Sequence, residues 1–284
     1  MTILDEARKR VREQKEKERR ERAASSNGIP QKPESPPANT PAPTIYPLPD
    51  LLGMNIPPAK WIVPGLLSEG LTILAGKPKL GKSWLALNLA LTIAAGGTAL
   101  GSTPVDAAPV LYLSLEDRLR RVQDRARKVL SGLALPAPVI LDVSIEWVRA
   151  DLGGLSHMAD WLAEKGKGSF VIIDVWAKFR PVSLGGRSAY DQDYEHVGAL
   201  KKVIDAYESS AMLIMHCKKA KADDVLDEVS GTLGLAGSTD GTLVLTRSRS
   251  ELEAELFVTG RDVEEKSLVL EFDPKGFTRM SHVD

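Results

Sequence analysis

The segment Gly76-Lys77-Pro78-Lys79-Leu80-Gly81-Lys82-Ser83 leaves this chain few ways to fold. It has the spacing G-x-x-x-x-G-K-[ST]. It lies between a short apolar run, Leu71 to Ala75, and a helix-forming one, Trp84-Leu85-Ala86-Leu87-Asn88-Leu89-Ala90. Strand, glycine-rich turn, helix is the order in which that spacing makes a phosphate cradle, whereas a chance glycine turn needs neither flank. The glycines let successive backbone N–H groups turn inward toward an anion, and the helix aims its positive end at the same point. Lys82 adds a point charge and Ser83 a hydroxyl suited to Mg²⁺. The expected nucleotide-binding residues are therefore Gly76, Lys77, Pro78, Lys79, Leu80, Gly81, Lys82, Ser83 and Trp84, and the expected ligands are ATP and Mg²⁺.

At 284 residues the chain has room for one large α/β domain and a tail. Its 37 Lys and Arg nearly balance 38 Asp and Glu, so any nucleic-acid contact has to come from a local patch. Cys217 is the only cysteine, which excludes a disulfide framework or a cysteine-ligated metal within one chain. No apolar leader opens the sequence. Its longest apolar run, Trp84 to Ala95, is too short for a bilayer, so a cytoplasmic protein without membrane contact is expected.

Three regions follow from composition. Residues 1–27 form a charged, partly helical arm with Glu placed four positions before a base, as in Glu13 with Lys17, Glu16 with Arg20 and Glu18 with Arg22. The arm reads either as a solvated helix or, through Arg8-Lys9-Arg10-Val11-Arg12, as a contact for nucleic acid or a replication partner. Residues 28–50 are proline-rich and read as a disordered linker. Residues 51–284 alternate strand-like and helix-like segments, the pattern of a mostly parallel twisted sheet flanked by helices. Strands are expected at 71–75, 109–114, 138–142, 169–174 and 211–216, and helices near 82–95, 117–131, 152–165 and 190–208. Segments 241–247, 254–259 and 267–272 follow without helices between them, so antiparallel strands are expected at the C-terminal end.

The strand Phe170-Val171-Ile172-Ile173-Asp174 ends in a carboxylate, the usual second half of a Mg²⁺-nucleotide site beside the cradle serine, so Ser83 and Asp174 are the expected metal residues. Val110-Leu111-Tyr112-Leu113-Ser114-Leu115-Glu116-Asp117 ends in two acids at the rim where a water must attack the terminal phosphate. Glu116 is the expected group that orients and deprotonates that water; as an alternative, both acids complement the dipole of the next helix, a role that suits Asp117. His216 closes strand 211–216 at the same rim, either as a structural residue or as a sensor of the γ-phosphate.

The cradle, Tyr-Leu-Ser-Leu-Glu-Asp, Val-Ile-Ile-Asp, Met-His-Cys-Lys-Lys-Ala and Val258-Thr259-Gly260-Arg261-Asp262-Val263-Glu264 together resemble the RepA-type branch of RecA-like P-loop ATPases, related to plasmid and phage hexameric replicative helicases. The resemblance spans residues 55 to 275 and implies a RecA-like P-loop NTPase core that works as a homo-oligomeric ring, with ATP between subunits. It implies catalytic roles for Lys82, Glu116 and His216, and phosphate and metal roles for Ser83 and Asp174. Met215 stands where the family has the first residue of a His-His pair. Gly241-Thr242-Leu243-Val244 lacks the family's arginine finger, so that role falls to Arg261, which reads otherwise as a turn residue paired with an acid.

Two basic loops carry the expected single-stranded DNA contacts, Lys178, Arg180 and Arg187 in one and Lys218, Lys219 and Lys221 in the other. Ordinary solvated loops explain the same residues, and Asp223, Asp224, Asp227 and Glu228 weaken the electrostatic case. A ring helicase or translocase serving replication of a plasmid, phage or mobile element is the leading expectation. The alternative is an ATP-gated switch or accessory ATPase without unwinding activity. A small-molecule kinase is disfavoured, since neither an arginine-bearing lid nor an acceptor pocket is evident.

Overall fold

The computed structural model describes residues 45–133, 135, 140–182, 189–216, 237–247, 253–272 and 278–281. The expected arm at 1–27 and most of the linker lie outside them. The chain divides into two units, Met1–Ile56 and Pro57–Asp284. Within the first, α1 (Leu48–Gly53) starts at a proline-set first turn, with Asp50 N and Leu51 N donating to Pro47 O at 3.0 Å, and none of its residues is buried.

The second unit opens with an antiparallel pair, β1 (Trp61–Val63) and β2 (Leu67–Ser68). The chain then runs through β3 (Leu71–Gly76), α2 (Lys82–Ala95), a small pair β4 (Thr98–Ala99) and β5 (Thr103–Pro104), β6 (Val110–Ser114), α3 (Leu119–Gly132) and β7 (Leu141–Ser144). A 3₁₀ turn at Ala150–Leu152 leads into α4 (Gly154–Lys165), β8 (Phe170–Asp174), α5 (Trp176–Phe179), α6 (Ala189–Ala206), β9 (Ser210–His216) and β10 (Gly241–Thr246). Finally come β11 (Glu253–Gly260), β12 (Lys266–Phe272) and β13 (Thr278–Ser281).

Nine strands form one sheet in the order β13-β12-β11-β10-β3-β9-β8-β6-β7. From β10 to β7 every pairing is parallel; from β10 outward through β13 every pairing is antiparallel. The parallel strands β3, β6 and β8 are buried at every position, as strands covered on both faces must be. Their period of two sorts the core. Leu74, Tyr112, Ile172 and Met212 face α2 on one side, and Ile73, Leu113, Ile173 and Leu213 face α4 and α6 on the other. The apolar run Trp84 to Ala95 lies within α2, buried against the sheet over nearly its whole length. Among the described residues no helix is long and apolar enough to cross a membrane.

The expected strand at 138–142 is β7, paired from Val110 with Leu141 and so placed a few residues later; residues 136–139 are outside the described set. The expected antiparallel extension is present in β10, β11 and β12, and β13 adds a further strand to it. On its other edge β10 lies parallel to β3, Gly241 opposite Thr72 and Val244 opposite Ala75. The helix expected from 117 starts at Leu119, because Arg118 is still extended at φ −90° and ψ 150°.

One carboxylate fastens the β3–β10 junction. Asp240 Oδ2 accepts from Leu71 N at 2.9 Å and from Lys201 Nζ at 2.6 Å, and Asp240 N donates to Leu71 O at 2.8 Å. Asp240→Ala strips an acceptor from a buried amide and from the Lys201 ammonium, so it is expected to cost about 2–3 kcal/mol of stability. Urea unfolding checks this through a lower midpoint at unchanged slope; an unmoved midpoint would refute it.

Candidate active site

The cradle forms where β3 turns into α2. Gly81 caps α2 at φ +108°, a left-handed conformation that a side chain would strain. At Gly76 the restriction is one of space, since a Cβ there would lie 2.5 Å from Leu245 O of β10. Lys82 is only 4% exposed, and its ammonium donates to Gly76 O at 2.6 Å and Lys77 O at 2.9 Å. The lysine is thus curled over the loop that its charge would otherwise offer to an anion. Lys77, Pro78 and Lys79 are exposed, Lys79 at φ +68°, while Leu80, Ser83 and Trp84 are half-buried.

Sheet register brings the remaining expected residues to the same rim. His216 lies opposite Gly76, and Asp174 lies opposite Ser114. Ser83 donates a side-chain hydrogen bond to Asp174, and Tyr112 Oη donates to Asp174 Oδ2 at 2.8 Å. Burial pushes the Asp174 carboxyl above its usual range, partly offset by the Tyr112 and Ser83 bonds and reinforced by the charges of Asp117 and Glu116. The Tyr112 hydroxyl is pushed well up, first by burial and then by the Asp174 charge beside it. A hydroxyl and a buried carboxylate side by side suit Mg²⁺, a hard cation that takes few protein ligands and keeps its phosphates and waters. Among the described residues no group of three or more His, Cys, Asp or Glu is placed to hold a metal ion.

Beyond Ser114 the chain stays with β8 for one more residue, through Leu115 N to Asp174 O at 2.6 Å. This delivers Glu116 to the rim, with Oε2 3.5 Å from His216 Nε2. Asp117 takes a different direction. It binds Arg121 Nη1 at 2.8 Å and also Arg125 Nη1, both on α3, so it serves the side chains of that helix. Met215 faces the other way, packed against the α4–α6 side of the core.

Arg261 is not at this rim. It follows Gly260, whose partner Gly241 lies beside Thr72, about 13 Å along the sheet from Gly76. There its amide donates to Asp240 O at 2.9 Å, and its guanidinium lies 3.6 Å from Asp240 Oδ1. Within its own chain Arg261 therefore meets an acid and not the cradle. Of the expected DNA contacts, Lys178 is exposed on α5, whereas Arg180 Nη1 is bound to Asp193 Oδ1 at 2.6 Å. Arg187, Lys218, Lys219 and Lys221 lie outside the described residues.

A cavity of about 400 Å³ opens on the cradle, lined by Lys79, Gly81, Lys82, Ser83, Trp84, Arg125, His216 and Arg247. Four of these are cations and none is an acid, which suits a polyphosphate. Sequence reasoning missed Tyr112, Arg125 and Arg247. Tyr112 and Ser114 share one face of β6, and period two could have placed the tyrosine beside the metal carboxylate. Arg247 follows Thr246 at the end of β10, and reaches this rim only because β10 is parallel to β3.

A family model described as an AAA domain matches residues 41–222. No curated protein sequence matches. Among solved structures, one described as an ATPase domain is similar with a TM-score of 0.60 at 15% identity, over 75% of this chain and 85% of that one. A DnaB-like replicative helicase, described with its interactions with primase, is similar with a TM-score of 0.57 at 14% identity, over 76% of this chain. The match spans 59% of that helicase. At such identities the likeness is one of fold.

Proposed function

The chain belongs to the AAA domain family, with a RecA-like fold, and on that premise we propose that it is a Mg²⁺-dependent ATP hydrolase working as a ring-forming DNA helicase or translocase. The observation that carries the hydrolase is the cationic cavity over Lys82, flanked on one rim by Glu116 and by the Ser83–Asp174 pair.

Each side chain has a task there. Lys82 leaves the loop carbonyls to meet the β- and γ-phosphates, while the backbone N–H groups from Lys79 to Trp84 surround them. Ser83 and Asp174 would hold Mg²⁺, which when bound neutralises charge between phosphate oxygens. Tyr112 fixes the Asp174 carboxylate in place by its hydrogen bond. Glu116 orients a water and accepts its proton. His216, in contact with Glu116 and opposite the first cradle glycine, senses the γ-phosphate and passes its presence to the segment that follows.

Arg261 completes the site of a neighbouring subunit in a hexameric ring; its place at the far rim supports action between chains over action within one. The segments bearing Lys178, Arg180, Arg187, Lys218, Lys219 and Lys221 track single-stranded DNA, and the N-terminal arm recruits a replication partner. The setting is cytoplasmic replication of a plasmid, phage or mobile element. The Arg180–Asp193 pair favours a second reading, because it removes one cation from the DNA-facing set: an ATP-gated accessory ATPase without unwinding.

Turnover measured with and without single-stranded DNA, alongside solution mass, separates the two. The motor requires a many-fold rise in turnover on DNA and a mass of several subunits. Hydrolysis indifferent to DNA would select the accessory ATPase.

A further inference from the structure

A trough of about 350 Å³ adjoins the cradle cavity, lined by Trp84, Arg120, Arg121, Asp124, Arg125 and Lys128, and it shares Trp84 and Arg125 with that cavity. Two of its cations are engaged within the chain. Asp117 binds Arg121 and Arg125, and the Arg125 guanidinium lies over the Trp84 ring, 5.4 Å from the centroid. The other two are not. Arg120 and Lys128 are exposed on α3, and neither forms an ion pair among the described residues. Asp124 is the single acid of the lining.

The turn between β11 and β12 carries the opposite charge. Its Val263 is buried in the core and the Arg261 amide donates to Asp240 O at 2.9 Å, so the turn is anchored. Around that anchor Asp262, Glu264 and Glu265 are exposed, and none of them forms an ion pair among the described residues. Lys266, the next cation, lies against Gly65 of the same chain.

This turn cannot meet the trough of its own chain. It leaves the sheet at the rim opposite the cradle, and β11 lies five strand spacings from β6, about 24 Å across the sheet. The match is available only between chains, and because the two patches differ, it is a head-to-tail contact of the kind that closes into a ring. It also removes a difficulty for Arg261. An arginine moving alone toward Lys82, Arg125 and Arg247 approaches a cavity lined with its own sign of charge and is repelled. Residues 262–265 follow Arg261 within about 14 Å of chain, so when it reaches a neighbour's cavity they arrive at the adjoining trough, bringing three carboxylates to Arg120 and Lys128. We propose that the trough on α3 is the docking site for the 262–265 turn of a second copy of this chain, a contact that carries Arg261 to the phosphates of the next subunit.

This rests on the ring reading, and the test keeps the two apart. Self-association is measured by sedimentation, with Mg²⁺ and a nonhydrolysable ATP analogue and without nucleic acid, for the wild type and two doubly substituted variants. One reverses the trough, Arg120→Glu with Lys128→Glu; the other reverses the turn, Glu264→Lys with Glu265→Lys. Each alone is expected to associate about ten- to a hundredfold more weakly than the wild type, because attraction at every contact becomes repulsion. Their equal mixture should return to within about fivefold of the wild type, since the acidic trough of one accepts the basic turn of the other and the remaining contact is the native one. Raising salt from about 0.05 to about 0.5 M should weaken wild-type association at least about tenfold. Variants that associate like the wild type, a mixture no better than its parts, or indifference to salt would each overturn the docking while leaving the ring. Intact association with loss of single-stranded oligonucleotide binding in the trough variant would overturn it in favour of nucleic acid. A wild type that stays monomeric would overturn the ring reading, and the docking with it.

Discussion

Glu116→Gln is expected to lower ATP turnover about 10²- to 10⁴-fold, the usual loss of a general base, while leaving ATP affinity within a few fold of the wild type. The reason is local. Glu116 lies past the end of β6, held to the rim by the Leu115–Asp174 backbone bond, and its carboxylate faces His216 and not the fold interior. Glutamine has the same shape and can keep the contact with His216, but its amide cannot take up a water proton. The side chain is 47% exposed, so the fold has little to lose with its charge. Rapid-quench turnover alongside calorimetric binding distinguishes the outcomes. Turnover near the wild-type rate would remove Glu116 from the reaction, and loss of binding would mean that it supports the cradle.

The second large effect concerns Asp174, where activity and stability are expected to move in opposite directions. Burial raises its folded-state pKa above the ordinary value near 3.8, which means that folding penalises its charged form. The sign then follows. Between the ordinary value and the raised one the folded protein keeps a proton that the unfolded chain has released, so the contribution of Asp174 to stability falls as pH rises through that window. Above that window the metal-free protein carries the full penalty. Asp174→Asn removes it while still accepting the Tyr112 hydrogen bond, so the variant should melt higher than the wild type without Mg²⁺ or nucleotide. The gain should be largest above that window and shrink as the pH falls through it toward the ordinary value near 3.8. Turnover of the same variant should drop by at least about a hundredfold, because asparagine supplies no charge to a hard cation. A lower melting temperature at the alkaline end would contradict the burial account, and retained Mg²⁺-dependent turnover would contradict the metal role.

Much of this rim was legible in the sequence because parallel sheets place strand ends side by side. Once Leu71–Ala75 is the strand that feeds the cradle, the terminal residues of the other apolar runs, Asp174 and His216, arrive at the same edge by register alone. The cradle was legible for a different reason, since glycine is demanded where the backbone of β10 crowds Gly76 and where Gly81 turns left-handed. What escaped were features set by strand direction and by neighbours far along the chain. The run 241–247 shows no period that distinguishes a parallel from an antiparallel partner. Arg247 therefore gave no sign of reaching the cavity, nor Arg261 of lying at the opposite end. Asp240 was equally silent, since its role depends on Lys201 and Leu71, which only the folded sheet brings to it. Arg125 belongs to an arginine-rich helix whose only buried residues are Val122 and Val129, and nothing in that pattern marks one cation as stacked on an indole.

A crystal structure of the protein with Mg²⁺ and a nonhydrolysable ATP analogue tests the central claim most directly. The terminal phosphate should lie within reach of the Lys82 ammonium, the metal should touch Ser83, and the Glu116 carboxylate should have a water between itself and the phosphorus. An analogue bound elsewhere, or a cradle filled while Glu116 points away from the terminal phosphate, would contradict it.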